Sequence, residues 1–275
     1  MKVFEALNAA QARLAAVPDP RLDAEYLLAS VLALPRLELL LQKRRELTAE
    51  EEAAFGALLC RREKREPLQY ILGNQPFMGF SFRTDPRALI PRNDTETLCQ
   101  EALAAVRSGG RVLDLCTGSG AVGIALKKLN PSLTVTLTDV SPDALSLARE
   151  NAHALGADVR MLPGDLFAPV KDEVFDLIVS NPPYIPETLR GRLQAEVEKE
   201  PALALFAGAD GLDFYRRIAQ EAPTHLSIDG KLLLEIGDGQ GDAVAALLSP
   251  GFQSIALIRD LNGLPRVIRA ERKSP

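Results

Sequence analysis

Histidine is almost missing from this chain: two occur in 275 residues, His153 and His225, and neither lies near a cysteine or a pair of carboxylates at ligand spacing. That shortage argues against an imidazole metal centre and against a serine nucleophile activated by a histidine base. Ser119 sits in "TGSGA", which lacks the first glycine of a nucleophile elbow, and no histidine follows in a triad context. Cysteine is as sparse. Cys60, Cys99 and Cys116 are odd in number and far apart, as expected of reduced thiols without a disulfide framework. Positive charge is not in excess: Lys plus Arg number 32 against 37 Asp plus Glu, a net charge of -5, so the basic stripe that a polyanion demands is absent. No apolar run is long enough to cross a bilayer. "MKVFEALNAAQARLAAV" opens with one lysine but carries Glu5 and regularly spaced polar residues, unlike the unbroken apolar stretch of a signal peptide. A mature helix in a cytoplasmic protein is expected, with neither membrane nor direct nucleic-acid partner.

What is present is an ordinary globular composition, 47% apolar and 25% charged, in a chain longer than one average domain. Residues 1–72 place leucines and alanines at helical spacing, as in "LDAEYLLASVLAL", interrupted by "PDP" and Pro35; a bundle of four or five helices follows. Over 73–92, aromatics alternate with small or polar residues among Gly and Pro, which suggests a hairpin used as a linker. A second domain spans 93–275, with Asn93 or Asp94 placed to cap its first helix. From 111 on, strand and helix patterns alternate: "RVLDLC", "AVGIALKKLN", "LTVTLTDV", "PDALSLARENAHALG", "DVRMLPGD", "VFDLIVSNPPY". Alternation of this kind argues for an α/β fold, a mostly parallel sheet with helices on both faces and ligands beyond the carboxyl ends of its strands.

"DLCTGSGAVG" sets Gly118, Gly120 and Gly123 in the G-x-G-x-x-G pattern between a strand and a helix, and Asp139 ends the next strand about twenty residues on. Asp139 is thereby placed to accept hydrogen bonds from a ribose diol. The glycines do not separate a nicotinamide dinucleotide from S-adenosylmethionine. Three other features favour the latter. Asp114 is ionisable inside a strand that should be apolar, so it either orients the loop and reaches a cationic ligand end or is a satisfied structural carboxylate. "PGDLF" offers Asp165 to an adenine amino group, or as plain turn chemistry, with Leu166 and Phe167 available to cover the ring.

The third feature is "SNPPYIP", residues 180–186, directly after an apolar strand. Pro182 and Pro183 stiffen the backbone and hold the residue before them extended. An amide or nucleobase amine has its nitrogen lone pair delocalised, and methylation requires that nitrogen to be aimed at the methyl carbon. The Asn181 side-chain oxygen and the Pro182 carbonyl can each accept one N–H while the Tyr184 ring packs on the planar group. Positioning of this kind is worth up to ~7 to 11 kcal/mol, so neither acid, base nor metal is required.

"VLDLCTGSGAVGIAL" with "NPPY" resembles the class I S-adenosylmethionine-dependent methyltransferases, which implies a Rossmann-like domain with a mostly parallel seven-stranded sheet. More narrowly, "PLQYILG", "FMGFSF", "LIPRNDTETL", "GDLF", "SNPPYIP", "EPALALFAGADGLDFYRRI", "LLLEIGDGQ" and "DLNGLPRVI" are similar, in order, to the release factor glutamine methyltransferases (HemK/PrmC), over about 65–270. The resemblance implies N5-methylation of the glutamine in the Gly-Gly-Gln loop of bacterial release factors 1 and 2, with S-adenosylhomocysteine as co-product. It also implies a cofactor loop of Cys116, Thr117, Gly118, Ser119 and Gly120, a ribose acid Asp139 followed by Val140, and a substrate clamp of Asn181, Pro182, Pro183 and Tyr184. Leu166 stands where some relatives have an aromatic ring, Asn93 where proline is usual, and Pro265 where a charge is usual. The helical part, 1–72, is expected to dock the release factor, and the enzyme to be a monomer. A ribosomal-protein glutamine methyltransferase shares the chemistry, and DNA adenine or cytosine amino-methyltransferases share the corner motif but need positive charge and an extruded base.

Overall fold

The structure is a computed structural model, and residues 1–273 are described. Five helices, α1 (Val3–Arg13), α2 (Pro20–Val31), α3 (Arg36–Leu41), α4 (Ala49–Glu63) and α5 (Leu68–Leu72), lie within one compact unit, residues 1–73 together with 194–199. Their apolar stripes meet in a core that includes Leu7, Leu27, Leu28, Phe55 and Leu59. Helix α4 starts in a capping box: the Thr48 hydroxyl accepts from the Glu51 N–H, and the Glu51 carboxylate accepts from that of Thr48. Arg62, nearly inaccessible to solvent, pairs with Asp23 at 2.6 Å and with Glu196 at 2.8 Å, while Arg65 holds the other Glu196 oxygen at 2.6 Å. A short piece of chain from beyond "NPPY", residues 194–199, is thus part of the helical unit in addition to the expected 1–72.

Residues 74–193 and those from 200 on form the second unit. It opens with β1 (Asn74–Phe77) and β2 (Phe80–Arg83), antiparallel around Met78 and Gly79. The expected hairpin is therefore confined to 74–83. Nor is it a free tether: Phe77 and Phe82 are buried edge to face, 5.9 Å apart, in this unit's core. Then follow α6 (Thr95–Ala105), β3 (Arg111–Leu115), α7 (Ala121–Leu129), β4 (Thr134–Asp139), α8 (Pro142–Leu155), β5 (Arg160–Pro163), β6 (Phe175–Ser180), α9 (Asp213–Glu221), β7 (Leu226–Glu235), α10 (Gly241–Leu248), β8 (Phe252–Arg259) and β9 (Pro265–Arg272).

The seven strands β3 to β9 form one sheet in the order β5-β4-β3-β6-β7-β9-β8, parallel except for β9, which is antiparallel to both its neighbours. Successive side chains of β6 alternate between two cores: Leu177 and Val179 face residues of α6 and α7, while Ile178 faces residues of α9 and α10. The doubly covered, mostly parallel sheet expected from the alternating pattern is present. Strand β3 pairs with β4 on one side and β6 on the other, so the chain reverses its direction of travel across the sheet at β3. The carboxyl ends of these strands border the crevice where ligands of such sheets bind.

The cap expected from Asn93 or Asp94 does not form. Asp94 precedes α6 in helical conformation without a capping bond, and its carboxylate lies 3.3 Å from Arg266. The N–H groups of Thr95, Glu96 and Thr97 are already taken by the carbonyls of Arg92, Asn93 and Asp94. With those donors used, a side-chain cap has nothing to satisfy.

Candidate active site

At the carboxyl ends of β3, β4 and β6 a cavity opens, with about 1000 Å³ of free space counted with its mouth to solvent. Its walls combine the β3–α7 loop, the end of β4, the turn after β5, the start of "NPPY" and the segment 87–92. Of the residues expected to contact the cofactor, Asp114, Cys116, Thr117, Gly118, Ser119, Asp139, Val140, Asp165, Leu166 and Asn181 line it, whereas Gly120 and Phe167 do not. Gly120 serves the turn itself. It begins α7 at φ +81°, and a Cβ there would stand 2.6 Å from Ile124 Cδ1.

Asp114 shows how the loop is shaped. Its Oδ2 accepts from the Thr117 hydroxyl at 2.6 Å and from the Gly123 N–H at 2.9 Å, tying β3 to both the loop and the first turn of α7. A side chain at Gly123 would drive into Leu137 at 2.1 Å and crowd Asp114 at 3.0 Å, so the third glycine is required for helix–strand approach. These bonds fit both readings open for Asp114, a carboxylate that orients the loop and one satisfied within the protein. Burial pushes its carboxyl up to about 7, against the pull of those two hydrogen bonds.

Asp139 receives one backbone donor on each oxygen, Gly118 N–H on Oδ2 and Ser141 N–H on Oδ1, both at 2.8 Å. Its position is thereby set while lone pairs remain for a diol. Burial raises its pKa and the backbone donors lower it. The half-exposed Val140 side chain lines the cavity beside it.

At the turn after β5 the expectations divide. Leu166 is buried, adopts φ +44° and lines the cavity. Asp165 lines it too, but its Oδ2 already accepts from Arg217 Nη2 at 2.6 Å on the exposed rim. Phe167 does not cover a ligand. It points into the opposite core, stacked on His225 with ring centres 4.6 Å apart. Leu166 belongs to the same core, but it alone of the two also borders the cavity.

In the corner after β6, Asn181 and Pro183 line the cavity, whereas Pro182 and Tyr184 do not. Asn181 Nδ2 donates to the Thr95 hydroxyl at 3.3 Å, and no described residue donates to its Oδ1. Tyr184 packs its ring against the α9 and α10 core, and burial pushes its hydroxyl up to about 12. Its carbonyl accepts from Gln240 Nε2 at 3.0 Å. Beyond it, Ile185 exchanges backbone bonds with Leu205 and Ala207 at 2.8 and 2.9 Å. The stiff corner is therefore braced from outside the motif.

Among the described residues no group of three or more His, Cys, Asp or Glu is arranged to hold a metal ion, and no helix is long and apolar enough to cross a membrane.

A family described as the PrmC N-terminal domain matches residues 5–73, and one described as the methyltransferase small domain matches 94–196. The release factor glutamine methyltransferase of Geobacter sulfurreducens is 46% identical over 254 residues, 92% of this chain and 89% of that protein. That of Deinococcus radiodurans is 42% identical over 276 residues, 99% of both. The chain belongs to the release factor glutamine methyltransferase family. A solved methyltransferase from Pyrococcus furiosus shares the fold, with a TM-score of 0.55 at 20% identity over 71% of this chain and 90% of that one.

Within this family member, several wall residues escaped residue-by-residue reading. Thr95 belongs to a helix start whose only local signal was capping. Glu200, buried, accepts from the Ile90 N–H at 2.9 Å and pairs with Arg92, which holds the 88–92 wall in place. Nothing in "EVEKEPALAL" marks that glutamate as internal, because its partners are more than a hundred residues away.

The raised Asp114 pKa has a stability consequence. A carboxyl that binds its proton more tightly folded than unfolded contributes stability below its unfolded pKa, and that contribution is lost as pH rises through about 7. The unfolding free energy of Asp114→Asn, relative to wild type, should therefore shift in the variant's favour by on the order of 3 kcal/mol between pH 4 and pH 8. Denaturant titrations of both proteins at the two pH values check this. A difference that does not change with pH would show that Asp114 titrates normally.

Proposed function

We propose that this enzyme transfers a methyl group from S-adenosylmethionine to the side-chain nitrogen of the glutamine in the Gly-Gly-Gln loop of release factors 1 and 2, in the cytoplasm, acting as a monomer. The single observation carrying this reading is the placement of Asn181: its carboxamide oxygen accepts from no donor among the described residues, and the residue shares one cavity with Asp139 and the β3–α7 loop. Support also comes from relatives of nearly equal length named release factor glutamine methyltransferases.

The residues present fit the cofactor. Asp139, fixed by two backbone donors, suits a ribose diol; Val140 and Leu166 offer apolar cover for an adenine; the Asp165 rim suits its amino group; and the loop 116–119 lies where the amino-acid end would run. When bound, S-adenosylmethionine would supply a sulfonium methyl, its carbon–sulfur bond breaking with the electron pair kept on sulfur as the amide nitrogen takes the carbon and loses its proton to solvent. The protein's part is placement. Asn181 Oδ1 accepts one amide N–H and turns the nitrogen toward the cofactor side of the cavity. The second N–H is assigned to the carbonyl of Pro182, a residue that lies between Asn181 and Pro183 of the cavity wall but does not itself line it. Tyr184, held by its buried ring and by Gln240, fixes the corner from behind instead of stacking on the substrate. The helical unit, with its segment 194–199, is assigned the docking of the release factor body.

The test is to incubate the protein with methyl-labelled S-adenosylmethionine, release factor and duplex DNA together, then locate the label by mass spectrometry. Label on the glutamine of the Gly-Gly-Gln peptide is expected. Label on DNA, or on another side chain of the release factor, would overturn the assignment.

A further inference from the structure

A buried carboxamide that stands outside the cavity lining nevertheless holds the cofactor loop. Asn151, on α8, is 1% exposed and does not line the cavity. Its Nδ2 donates to the Ser119 carbonyl at 3.0 Å and to the Arg83 carbonyl at 3.3 Å, and its Oδ1 accepts from the Arg83 N–H at 2.7 Å. Three stretches of chain thus meet at one side chain: β2 of the hairpin, helix α8, and the loop that leads into α7.

Resting on the proposed use of S-adenosylmethionine, we infer that Asn151 is a positioning residue for cofactor binding, which fixes the Ser119–Gly120 peptide of the loop by anchoring it to the hairpin. The loop needs such an anchor. Ser119 lies between Gly118 at φ +57° and Gly120 at φ +81°, and glycine on both sides leaves the backbone free to rotate about it. The Gly120 N–H is held within the loop, by the Thr117 carbonyl at 2.9 Å, while the carbonyl of the same peptide is held by Asn151. Both polar ends of that peptide are then engaged by the protein. Without Asn151 the buried Ser119 carbonyl would lose its donor, and the peptide would be fixed at one end only.

The chemistry of the position calls for asparagine. Its bonds use the acceptor and the donor nitrogen of the carboxamide together, and an ionised aspartate of the same shape has no hydrogen to give to either carbonyl. Helix α8 also supports the site elsewhere. At its N-cap, the Ser141 N–H donates to Asp139 Oδ1 at 2.8 Å. Between Ser141 and Asn151 the helix packs close to the loop, so that a Cβ at Gly120 would stand 3.1 Å from that of Ala148. One helix therefore holds the acid assigned to the ribose at its start and the glycine loop further along.

The experiment compares Asn151→Ala and Asn151→Asp with wild type, each confirmed folded by circular dichroism and measured well below its unfolding midpoint. A loop that samples other arrangements binds with an affinity reduced by the fraction that stays competent, so the dissociation constant for S-adenosylmethionine, read by calorimetry, should rise about ten-fold or more in both variants. At saturating cofactor, kcat and the KM for release factor should stay within about three-fold of wild type, because the corner at Asn181 is not touched. A merely structural asparagine would lower the unfolding midpoint and leave the dissociation constant alone; cofactor affinity within about two-fold of wild type in either folded variant would overturn the proposal. Amide hydrogen exchange over residues 116–121, measured without ligand, should be faster in the variants, and exchange as slow as in wild type would overturn it too. If wild type binds cofactor but methylates no release factor glutamine, the proposed function fails while the affinities still decide the anchor; if it binds no cofactor, the exchange rates decide it. Should neither variant fold, the side-chain amide signal of ¹⁵N-labelled Asn151 in wild type decides: it should shift on saturation with S-adenosylmethionine, and a signal that stays in place refutes the proposal.

Discussion

A release factor whose Gly-Gly-Gln glutamine is replaced by glutamate should lose kcat/KM by on the order of 10⁴, the discrimination typical of a site whose buried polar groups are left without partners. Asn181 Oδ1 is an acceptor with no hydrogen to offer, held so by the bond from Nδ2 to Thr95. Glutamine brings two N–H donors to this wall. Glutamate brings none, and its ionised oxygens would face the Asn181 oxygen and the corner carbonyls, adding repulsion to the lost bonds. Size and shape are unchanged, so the comparison isolates hydrogen-bond polarity. Single-turnover transfer of labelled methyl to the two purified release factors measures it, and a reduction of less than a hundred-fold would mean that these acceptors do not select the substrate.

The second large effect falls on the enzyme. Asn181→Ala should reduce kcat by on the order of 10² or more, the cost of losing a group that orients the reacting nitrogen. Binding of S-adenosylmethionine should stay within a few-fold of wild type, because Asp139 and the β3–α7 loop are held by their own backbone bonds and by Asp114, none of which involves Asn181. Calorimetric titration with the cofactor, alongside steady-state kinetics, separates the two quantities. An equal loss in cofactor affinity would make Asn181 part of the cofactor cradle instead of the substrate clamp.

The parts of this site that could be read from the chain share one property: the residues that define them are close in sequence or follow a fixed period. The glycine pattern 118–123 and the acid twenty residues on work this way, and so does the corner 181–184, because a strand, a tight turn and a helix are local structures and bring their own signals. Where reading failed, the deciding partner was remote. Tyr184 could be placed next to Asn181, but its ring direction depends on α9 and α10, which pack behind it. Phe167, next to Leu166, was available to a ligand on sequence grounds, whereas its ring stacks on His225, 58 residues later in the chain. Asp165 was found at the right edge, yet its bond to Arg217 spans 52 residues and leaves no local trace. The inclusion of 194–199 in the helical unit depends on Glu196 finding Arg62 and Arg65, more than a hundred residues back.

Composition and short-range pattern by themselves established an α/β sheet protein with a nucleotide loop, a ribose acid and a rigid asparagine corner, because backbone preference and turn chemistry act over a few residues. Which way the Asn181 carboxamide faces was decided only in three dimensions. Thr95 stands 86 residues before it, and the two side chains meet only once the sheet and α6 have packed together.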